Sequence, residues 1–345
     1  MDKINIRNID SEKLKEFCQQ IVERPFRVAQ INHWLWHKGV KSFDQMTDLS
    51  KNLRDNLTKQ FFFDNIEITS KLQSKDKTIK VLFQAIDMEL FEGVLIPEKG
   101  RVTACISTQS GCALNCSFCA TGKLGFKRNL TIGEIFGQVF ELNTLSKQEY
   151  GRTLTNIVIM GMGEPLLNYE NTLGAINQVI SEKGLGFSPQ RITLSTAGIA
   201  PKIKQLADDK IKFKLSISLH SAINSKRSEL MPVNKKYDLE MLSAAIRYFY
   251  DKTGKRITYE YLLLKGINDS LKDAETLSKF TRISPCKINL IAYNPGENDT
   301  FLATDTTATK QFIEFLENKN IIVTLRKSKG QDVNAACGQL ANKKQ

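Results

Sequence analysis

The sequence has no long apolar run. No stretch approaches the roughly 18 uninterrupted apolar residues that a membrane span requires. The N-terminal segment MDKINIRNIDSEKLKEF is interrupted by charge throughout and has none of the apolar region of a secretory signal peptide. Internal repeats, low-complexity tracts and a linker that would divide the main part of the chain are also missing. These absences predict a cytoplasmic, globular protein.

Cysteine is scarce. Seven cysteines in 345 residues are too few for a secreted scaffold built from disulfide bonds, and the number is odd. Four of them nevertheless lie between Cys105 and Cys119. In a cytosolic protein such clustering indicates a metal or redox site. Cys18, on an apolar helix face, and Cys286, just before a strand, are expected to belong to the core.

Acidic residues are fewer than basic ones: the chain has 37 Asp and Glu and 49 Lys and Arg, which gives a net charge of +12. Nucleic acid is therefore the first candidate partner, although a solvated basic surface would give the same balance. The basic residues recur in short groups in or beside predicted loops, which suits a surface that follows a phosphate backbone. The groups are Lys123, Lys127 and Arg128; Lys226 and Arg227; Lys235 and Lys236; and Arg326, Lys327 and Lys329.

The chain is predicted to have three parts. Residues 1–62 carry apolar residues at helical spacing and form a small helical accessory domain, in which Trp34 and Trp36 belong to the core rather than to a base-stacking surface. Residues 63–98 contain three runs rich in β-branched and aromatic residues, typical of a short antiparallel meander. Residues 99–345 form the main domain.

In the main domain, short apolar strands alternate with amphipathic helices. Such alternation indicates βα units and a parallel sheet, because parallel strands need crossover helices. About six units are too few for a closed eight-stranded barrel, so we predict an α/β fold with an open, partial (βα)6-type barrel. The predicted strands are 102–108, 155–160, 191–195, 213–219, 257–264, 287–292 and 321–325; the predicted helices lie near 131–146, 170–182, 199–208, 238–252, 270–281 and 306–319.

Unusual residues fall repeatedly at the C-terminal ends of these strands, where parallel βα sheets bind ligands. They are the cysteine triad Cys112, Cys116 and Cys119 after the first strand, residues 161–164 after the second, Ser195 after the third, Ser218, Leu219 and His220 at the end of the fourth, and Asn294 after the sixth. We expect one site at this rim.

The triad has the spacing CxxxCxxC. A [4Fe-4S] cluster normally takes four thiolates, so three would leave one iron open to a substrate, as in catalytic metal sites. A structural zinc site completed by Cys105 or His220 is the alternative.

Residues 111–122 (GCALNCSFCATG) resemble the cluster motif of radical S-adenosylmethionine (SAM) enzymes. The resemblance implies a [4Fe-4S] cluster on the triad, SAM chelated by the open iron, and cleavage of SAM to a 5′-deoxyadenosyl radical. Glu164 would accept hydrogen bonds from the ammonium group of SAM, and glycines would let the backbone approach it. The implied SAM-binding residues are Gly163, Glu164, Ser195, Ser218, Leu219, His220 and Asn294.

A narrower resemblance covers almost the whole chain. Its motifs, in order, resemble the RNA adenine C2-methyltransferases, dual-specificity enzymes that act on 23S ribosomal RNA and on certain transfer RNAs. The motifs are Cys105, the triad, and residues 161–165 (GMGEP), 218–221 (SLHS), 227–232 (ending in LMP), 292–295 (AYNP) and 335–340 (AACGQL).

The chemistry of this family explains the two further cysteines. Adenine C2 is too electron-poor to attack the methyl group of SAM, so the methyl must arrive as a carbon radical. The resemblance implies that Cys337 takes a methyl group from one SAM, and that a second SAM, two per turnover, supplies the radical that activates it. Cys105 then resolves the protein–RNA adduct, leaving a Cys105–Cys337 disulfide. Glu92 matches a family proton acceptor, although the strand pattern alone predicts an exposed carboxylate.

The implied partners are 23S rRNA, tRNA and a reducing electron donor of flavodoxin or ferredoxin type, and a monomer is expected. Because the target base must leave its stack before a pocket can reach it, the basic groups and the helical domain are predicted to bind RNA. Two alternatives stay open: the sister enzyme that methylates adenine C8, and a non-catalytic, zinc-containing RNA-binding protein.

Overall fold

The computed structural model describes residues 3–295 and 300–342. The N-terminal part is helical, as predicted: α1 (Ser11–Gln20), α2 (Phe26–Asn32, continued by a π-helical turn His33–Lys38) and α3 (Lys51–Gln60). Trp36 is buried and Trp34 packs against the core, as expected. The first and last segments of this part pair as two short parallel strands, Ile4–Asn5 and Phe61–Phe62.

The rest of the chain is built on one ten-stranded sheet whose strand order is the chain order. The first four strands are antiparallel, and from the fourth onward neighbours are parallel. The predicted meander thus continues directly into the parallel sheet. The strands are β1 (Ile66–Gln73), β2 (Ile79–Ala85), β3 (Leu90–Glu98), β4 (Arg101–Ile106), β5 (Asn156–Ile159), β6 (Ile192–Thr196), β7 (Lys214–Ser218), β8 (Ile257–Leu263), β9 (Cys286–Ala292) and β10 (Val323–Arg326).

A helix follows each parallel strand except the last, which confirms the α/β fold predicted as an open barrel of βα units. A capping box starts the longest helix, because Thr131 and Glu134 exchange hydrogen bonds with each other's backbone N–H groups at 3.1 and 2.9 Å. The helices are α4 (Ile132–Tyr150), α5 (Tyr169–Ile180), α6 (Ala200–Asp208), α7 (Leu239–Thr253), α8 (Leu271–Phe280) and α9 (Thr306–Glu317).

The two faces of the sheet differ in polarity. Because side chains alternate between faces and paired residues share a face, the register assigns one face to apolar residues that are all buried in the core beneath the helices. They are Ala104, Ile157, Ile159, Leu194, Leu215, Ile217, Tyr259, Tyr261, Ile288 and Leu290. The opposite face carries chemically active side chains: Lys80, Glu92, Cys105, Ser195, Ser218, Glu260, Asn289 and Arg326.

The helical domain docks on the barrel through a buried ion pair. Arg7 lies 3.7 Å from Asp64, and both side chains are buried. Asp64 also accepts a hydrogen bond from Thr131, the cap of α4. Trp36 packs edge-on against Phe136 of the same helix, with ring centroids 5.1 Å apart. Among the described residues, no helix is both long and apolar enough to cross a membrane.

Candidate active site

The three cysteines of the triad lie in the loop between β4 and α4. A short hairpin, Gln109–Gly111 paired with Phe126–Asn129, supports this loop. Gly111 has φ +77°, and a Cβ there would lie 1.9 Å from the carbonyl oxygen of Gly125, which accepts the N–H of Cys112 at 3.0 Å. Only glycine fits this close approach. The loop then ends in a short helix, Ala120–Lys123.

The triad thiols are partly buried and lie close enough to act on one another electrostatically. Burial raises the pKa of Cys112 to about 12 and raises that of Cys116 as well, and Glu164 adds to both shifts. Arg227 opposes the shift of Cys116. A bound metal cluster would supply the missing positive charge and hold the thiolates, so this donor set fits a [4Fe-4S] cluster.

A zinc site completed by His220 conflicts with the hydrogen bonding of that side chain. His220 accepts the N–H of Leu262 on Nδ1 at 3.0 Å, so its proton sits on Nε2. Ligation through Nε2 would require moving that proton and would break the bond to Leu262. Burial also lowers the pKa of His220 to about 3, so the ring is neutral.

Glu164 is buried where β5 ends. Its two carboxylate oxygens accept the N–H groups of Leu166 at 3.0 Å and Ala197 at 2.7 Å. Burial raises its pKa to about 6, against the opposing effect of these hydrogen bonds. A carboxylate has about four acceptor sites, so Glu164 can still accept hydrogen bonds from an amino group. Gly163, at φ +97°, leaves room for Gln109, whose Cβ would lie 2.5 Å from an added Cβ.

The predicted SAM-binding residues of the next strands also converge. Ser195 and Ser218 face each other across β6 and β7, with their hydroxyl oxygens 3.3 Å apart. His220 packs edge-on against Phe118, the residue before the third cysteine, with ring centroids 4.8 Å apart. Leu219 between them is fully buried. The rim residues of β6 and β7 therefore lie beside the triad loop.

Asn294 lies farther along the rim and is engaged by the C-terminal segment. Its side chain donates to Ser328 and accepts from Gln331 at 2.6 Å. Its backbone carbonyl accepts from the side chain of Gln339 at 3.3 Å. In this structure Asn294 therefore holds the chain that leads to Cys337.

Cys105 and Cys337 are brought together by the fold, although 232 positions separate them in the sequence. Cys105 is buried on the polar face of β4, and burial raises its pKa to about 12, with a further contribution from Cys337. Cys337 is exposed, and desolvation by the protein around it raises its pKa. Cys119 also acts on Cys337, which places the triad nearby.

Glu92 corrects the pattern-based expectation of an exposed carboxylate. It is 1% exposed, lies 3.3 Å from Lys80 through Oε1, and accepts the N–H of Ala341 through Oε2 at 2.9 Å. The expectation was wrong because β3 is an interior strand, and its polar face is covered by residues from the C-terminal end of the chain.

Glu260 and Arg326 are charged site residues whose place the sequence analysis missed. Glu260 is buried on β8; its Oε1 accepts from Ser216 at 2.8 Å and from Asn289 at 2.9 Å, and its Oε2 lies 3.6 Å from Arg326. Arg326 acts electrostatically on both Cys105 and Cys337. A glutamate in the middle of the apolar strand ITYEYLL was the available signal.

Four of the basic residues assigned to a phosphate-following surface make contacts within the protein, but three of them stay partly exposed and only Arg227 is buried, which corrects that expectation for Arg227. Arg227 is fully buried and donates hydrogen bonds to the carbonyls of Leu219 and Ala197. These bonds link the chain just after β7 to the chain just after β6. The other three are engaged by acidic side chains. They are Lys226 with Asp273, Arg128 with Asp87 and Glu134, and Arg326 with Glu260. Lys127, Lys235, Lys236 and Lys327 are exposed.

Comparison with known proteins identifies the family. Residues 4–62 match the model described as the ribosomal RNA large subunit methyltransferase N-terminal domain, and residues 106–277 match the radical SAM superfamily. A crystal structure of a radical SAM methyltransferase from Sphaerobacter thermophilus superimposes with a TM-score of 0.92 at 39% identity, covering 99% of this chain and 100% of that one. Membership of the superfamily implies a [4Fe-4S] cluster and SAM, in agreement with the triad.

Curated relatives extend the match over the whole chain. The probable dual-specificity RNA methyltransferase RlmN of Christiangramia forsetii is 47% identical, covering 99% of this chain and 97% of that protein. The dual-specificity RNA methyltransferase RlmN of Syntrophus aciditrophicus is 44% identical, covering 99% and 98%. Since these relatives match over nearly their whole length, the chain belongs to the RlmN family of radical SAM RNA methyltransferases.

Proposed function

We propose that this enzyme methylates C2 of one adenosine in 23S rRNA and of an adenosine in tRNAs. The observation that carries the proposal is the approach of Cys337 to Cys105 beside the triad, because a methyl carrier, a resolving thiol and a radical source must share one site. The names of the curated relatives support the two RNA substrates.

Cys112, Cys116 and Cys119 would hold the cluster, and Gly163, Glu164, Ser195, Ser218, Leu219, His220 and Asn294 would bind SAM. When bound, the cluster and SAM supply a carbon radical able to abstract hydrogen. Glu164 orients the amino group of the ligand through its free acceptor sites. His220, neutral and protonated on Nε2, serves as a hydrogen-bond donor.

Cys337 carries the methyl group. Its thiol would take a methyl group from one SAM and release a proton, and a second SAM would supply the radical that removes one hydrogen atom from this S-methyl group, so that two SAM molecules are used per turnover. The S-methylene carbon then bonds to C2 of adenine, and the adduct gives up the C2 hydrogen as a proton and one electron, which the cluster, when bound, would take up. The Cys105 thiolate attacks the sulfur of Cys337 and breaks its bond to the methylene carbon, which takes up a proton to become the methyl group, and a disulfide between the two residues is left. Glu92 is the proposed proton acceptor; Lys80 offsets the negative charge of its buried carboxylate. A reductant must restore both thiols before the next cycle.

The partners follow from the chemistry. The electron that starts each cycle comes from a flavodoxin- or ferredoxin-like donor, and the substrates place the enzyme in the cytoplasm. We propose that it acts as a monomer, because one chain supplies the triad and both cysteines. The helical domain and the exposed lysines Lys127, Lys235, Lys236 and Lys327 hold RNA around a base extruded into the site.

The test is methylation of 23S rRNA and of tRNA, side by side, by the anaerobically reconstituted enzyme. Mass spectrometry of the digested RNA should locate the new methyl group on adenine C2 in both substrates. A methyl group on C8 would assign the chain to the sister activity. Methylation of rRNA alone would remove tRNA from the proposal, and a protein that binds zinc and no iron would overturn it.

A further inference from the structure

The C-terminal segment that carries Cys337 bridges two distant parts of the sheet. It follows β10, at one end of the sheet, and reaches the turn between β1 and β2, at the other end. Asp332 accepts hydrogen bonds from the Ser74 hydroxyl at 2.5 Å and the Lys75 N–H at 3.1 Å. The N–H of Gly330 donates to Asp76 at 3.1 Å. The approach to Cys337 is thus fixed on the meander.

Beyond Cys337 the segment is held again, by the triad loop. The N–H of Ala120 donates to the carbonyl of Gly338 at 2.7 Å, and the hydroxyl of Thr121 donates to the carbonyl of Leu340 at 2.7 Å. Cys337 therefore lies between two anchored stretches of chain, next to the cysteines that would hold the cluster.

Near the end of the described segment, a charged side chain holds the backbone. Glu92 accepts the N–H of Ala341 at 2.9 Å, and the next residue, Asn342, donates from its side chain to the carbonyl of Leu90 at 2.8 Å. The other oxygen of Glu92 lies 3.3 Å from the ammonium of Lys80. The register explains this pair, because Glu92 stands opposite Leu82, two residues along β2 from Lys80, and so shares its face.

Because the Lys80–Glu92 pair is buried, its main effect is on the position of the carboxylate rather than on stability. The side chains of Lys80 and Glu92 are 7% and 1% exposed, and an ion pair taken out of water gains little stability over apolar residues of the same size. What the ion pair does provide is a fixed orientation of the carboxylate. A carboxylate that is held by its counter-ion offers a hydrogen-bond acceptor in one direction, to one backbone N–H. Here that N–H lies four residues after the methyl-carrying cysteine.

We propose that Lys80 is a positioning residue, which orients Glu92 so that it anchors the segment after Cys337 over the polar face of the sheet. The anchor sets where the sulfur of Cys337 stands relative to Cys105 and the triad. This inference rests on the proposed function for its catalytic consequence, but the anchoring itself is independent of any substrate.

The test compares Lys80→Met with the conservative variant Lys80→Arg and with a matched control, Lys71→Met. Lys71 also lies in the meander, but it pairs with Glu149 on the surface. Hydrogen–deuterium exchange of residues 338–342 is measured in the reconstituted holoenzyme without RNA. Lys80→Met should exchange roughly tenfold or more faster, as for loss of a hydrogen bond to a charged group, whereas Lys80→Arg and Lys71→Met should match the parent.

The second readout is coupling, given as methylated RNA formed per 5′-deoxyadenosine released. Lys80→Met should still cleave SAM, but its coupling should fall about tenfold or more, because a misplaced carbon radical is quenched before it reaches the base. Should Lys80→Met fold poorly, Asn342→Ala tests the adjacent anchor without touching the buried pair, and should also speed exchange of this segment.

The outcomes separate the two proposals. Parental exchange in Lys80→Met overturns the role of Lys80, and parental exchange in Asn342→Ala as well overturns the anchor itself. Parental exchange in Lys80→Met with a shifted pH profile of methylation also overturns the positioning role, and assigns Lys80 to the proton transfer of Glu92 instead. Faster exchange in an enzyme whose parent form methylates no RNA leaves the anchor standing and defeats the proposed function.

Discussion

Glu164 shows how burial prepares a single carboxyl for ligand binding. Its pKa, raised to about 6 by burial, lies above its ordinary value, so the ionised form is costly in the folded protein. As the pH falls through about 6 the group becomes protonated and loses acceptor sites. Affinity for SAM should therefore decrease by up to about tenfold per pH unit below that point, measured by equilibrium binding to the reconstituted enzyme.

Replacing the Glu164 carboxyl tests its role in SAM binding without a change of pH. Glu164→Gln should weaken SAM binding about 10- to 100-fold, which corresponds to loss of a hydrogen bond between charged groups, and should flatten the pH dependence below neutrality. If the variant keeps both the parental affinity and its pH profile, Glu164 is a structural residue of the β5 turn.

Cys105 is the residue whose removal has the most distinctive expected product. In Cys105→Ala no thiol remains to attack the sulfur of Cys337, so a covalent protein–RNA adduct should accumulate in place of methylated RNA. Denaturing electrophoresis with labelled RNA measures it. Cys286→Ala is the matched control, because Cys286 lies at the start of β9 and contacts the carbonyl of Thr281. Normal turnover by Cys105→Ala would remove this residue from the reaction.

At the scale of elements, the triad loop depends on one close backbone approach. Gly111→Ala would place a Cβ 1.9 Å from the carbonyl oxygen of Gly125, which receives the N–H of Cys112. We expect the loop to shift and the iron content after reconstitution to fall severalfold. Gly125→Ala is a matched control, because Gly125 has a similar φ of +72° but nothing within 4 Å.

The control variant pays only the left-handed backbone strain of about 1–2 kcal/mol and should retain the parental iron content. Iron and sulfide analysis, together with thermal unfolding, distinguishes the two effects. Equal iron content in both variants would show that the Gly111 contact does not determine the shape of the cluster loop.

At the scale of the whole molecule, the buried Arg7–Asp64 pair joins the helical domain to the barrel. Arg7→Met would leave the Asp64 carboxylate buried without its counter-ion, so we expect a loss of about 3–5 kcal/mol in the free energy of unfolding. Lys15→Met, which breaks a surface pair with Glu12, should cost no more than about 1 kcal/mol. Urea unfolding measures both.

RNA methylation by Arg7→Met should fall while SAM cleavage persists, because the helical domain would no longer be held in one orientation on α4. A stability loss as small as that of Lys15→Met would contradict the assignment of this pair as a stabilising connection between the two parts. Loss of SAM cleavage would instead indicate that the barrel itself depends on the helical domain.

Much of the site could be predicted because its signals are local. The three cysteines of the triad lie within eight residues, so their spacing can be recognised from this sequence alone. The βα alternation could be predicted from apolar periodicity, and the rim positions of Glu164, Ser195 and Ser218 followed, since parallel strands end at the same edge. Pairing Cys105 with Cys337 needed more than pattern, because only the family resemblance linked two cysteines so far apart.

The tertiary structure alone decided which charged side chains are buried and which partners they have. The sequence by itself determined the fold class, the order of its elements and the cluster motif, because these depend on contiguous residues and on periods of two and 3.6. It did not determine that Glu92 is buried against Lys80, that Glu260 holds Arg326, or that Arg227 is internal. Those outcomes depend on strand register and on the path of the C-terminal segment across the sheet, which are set by contacts between residues far apart in the chain.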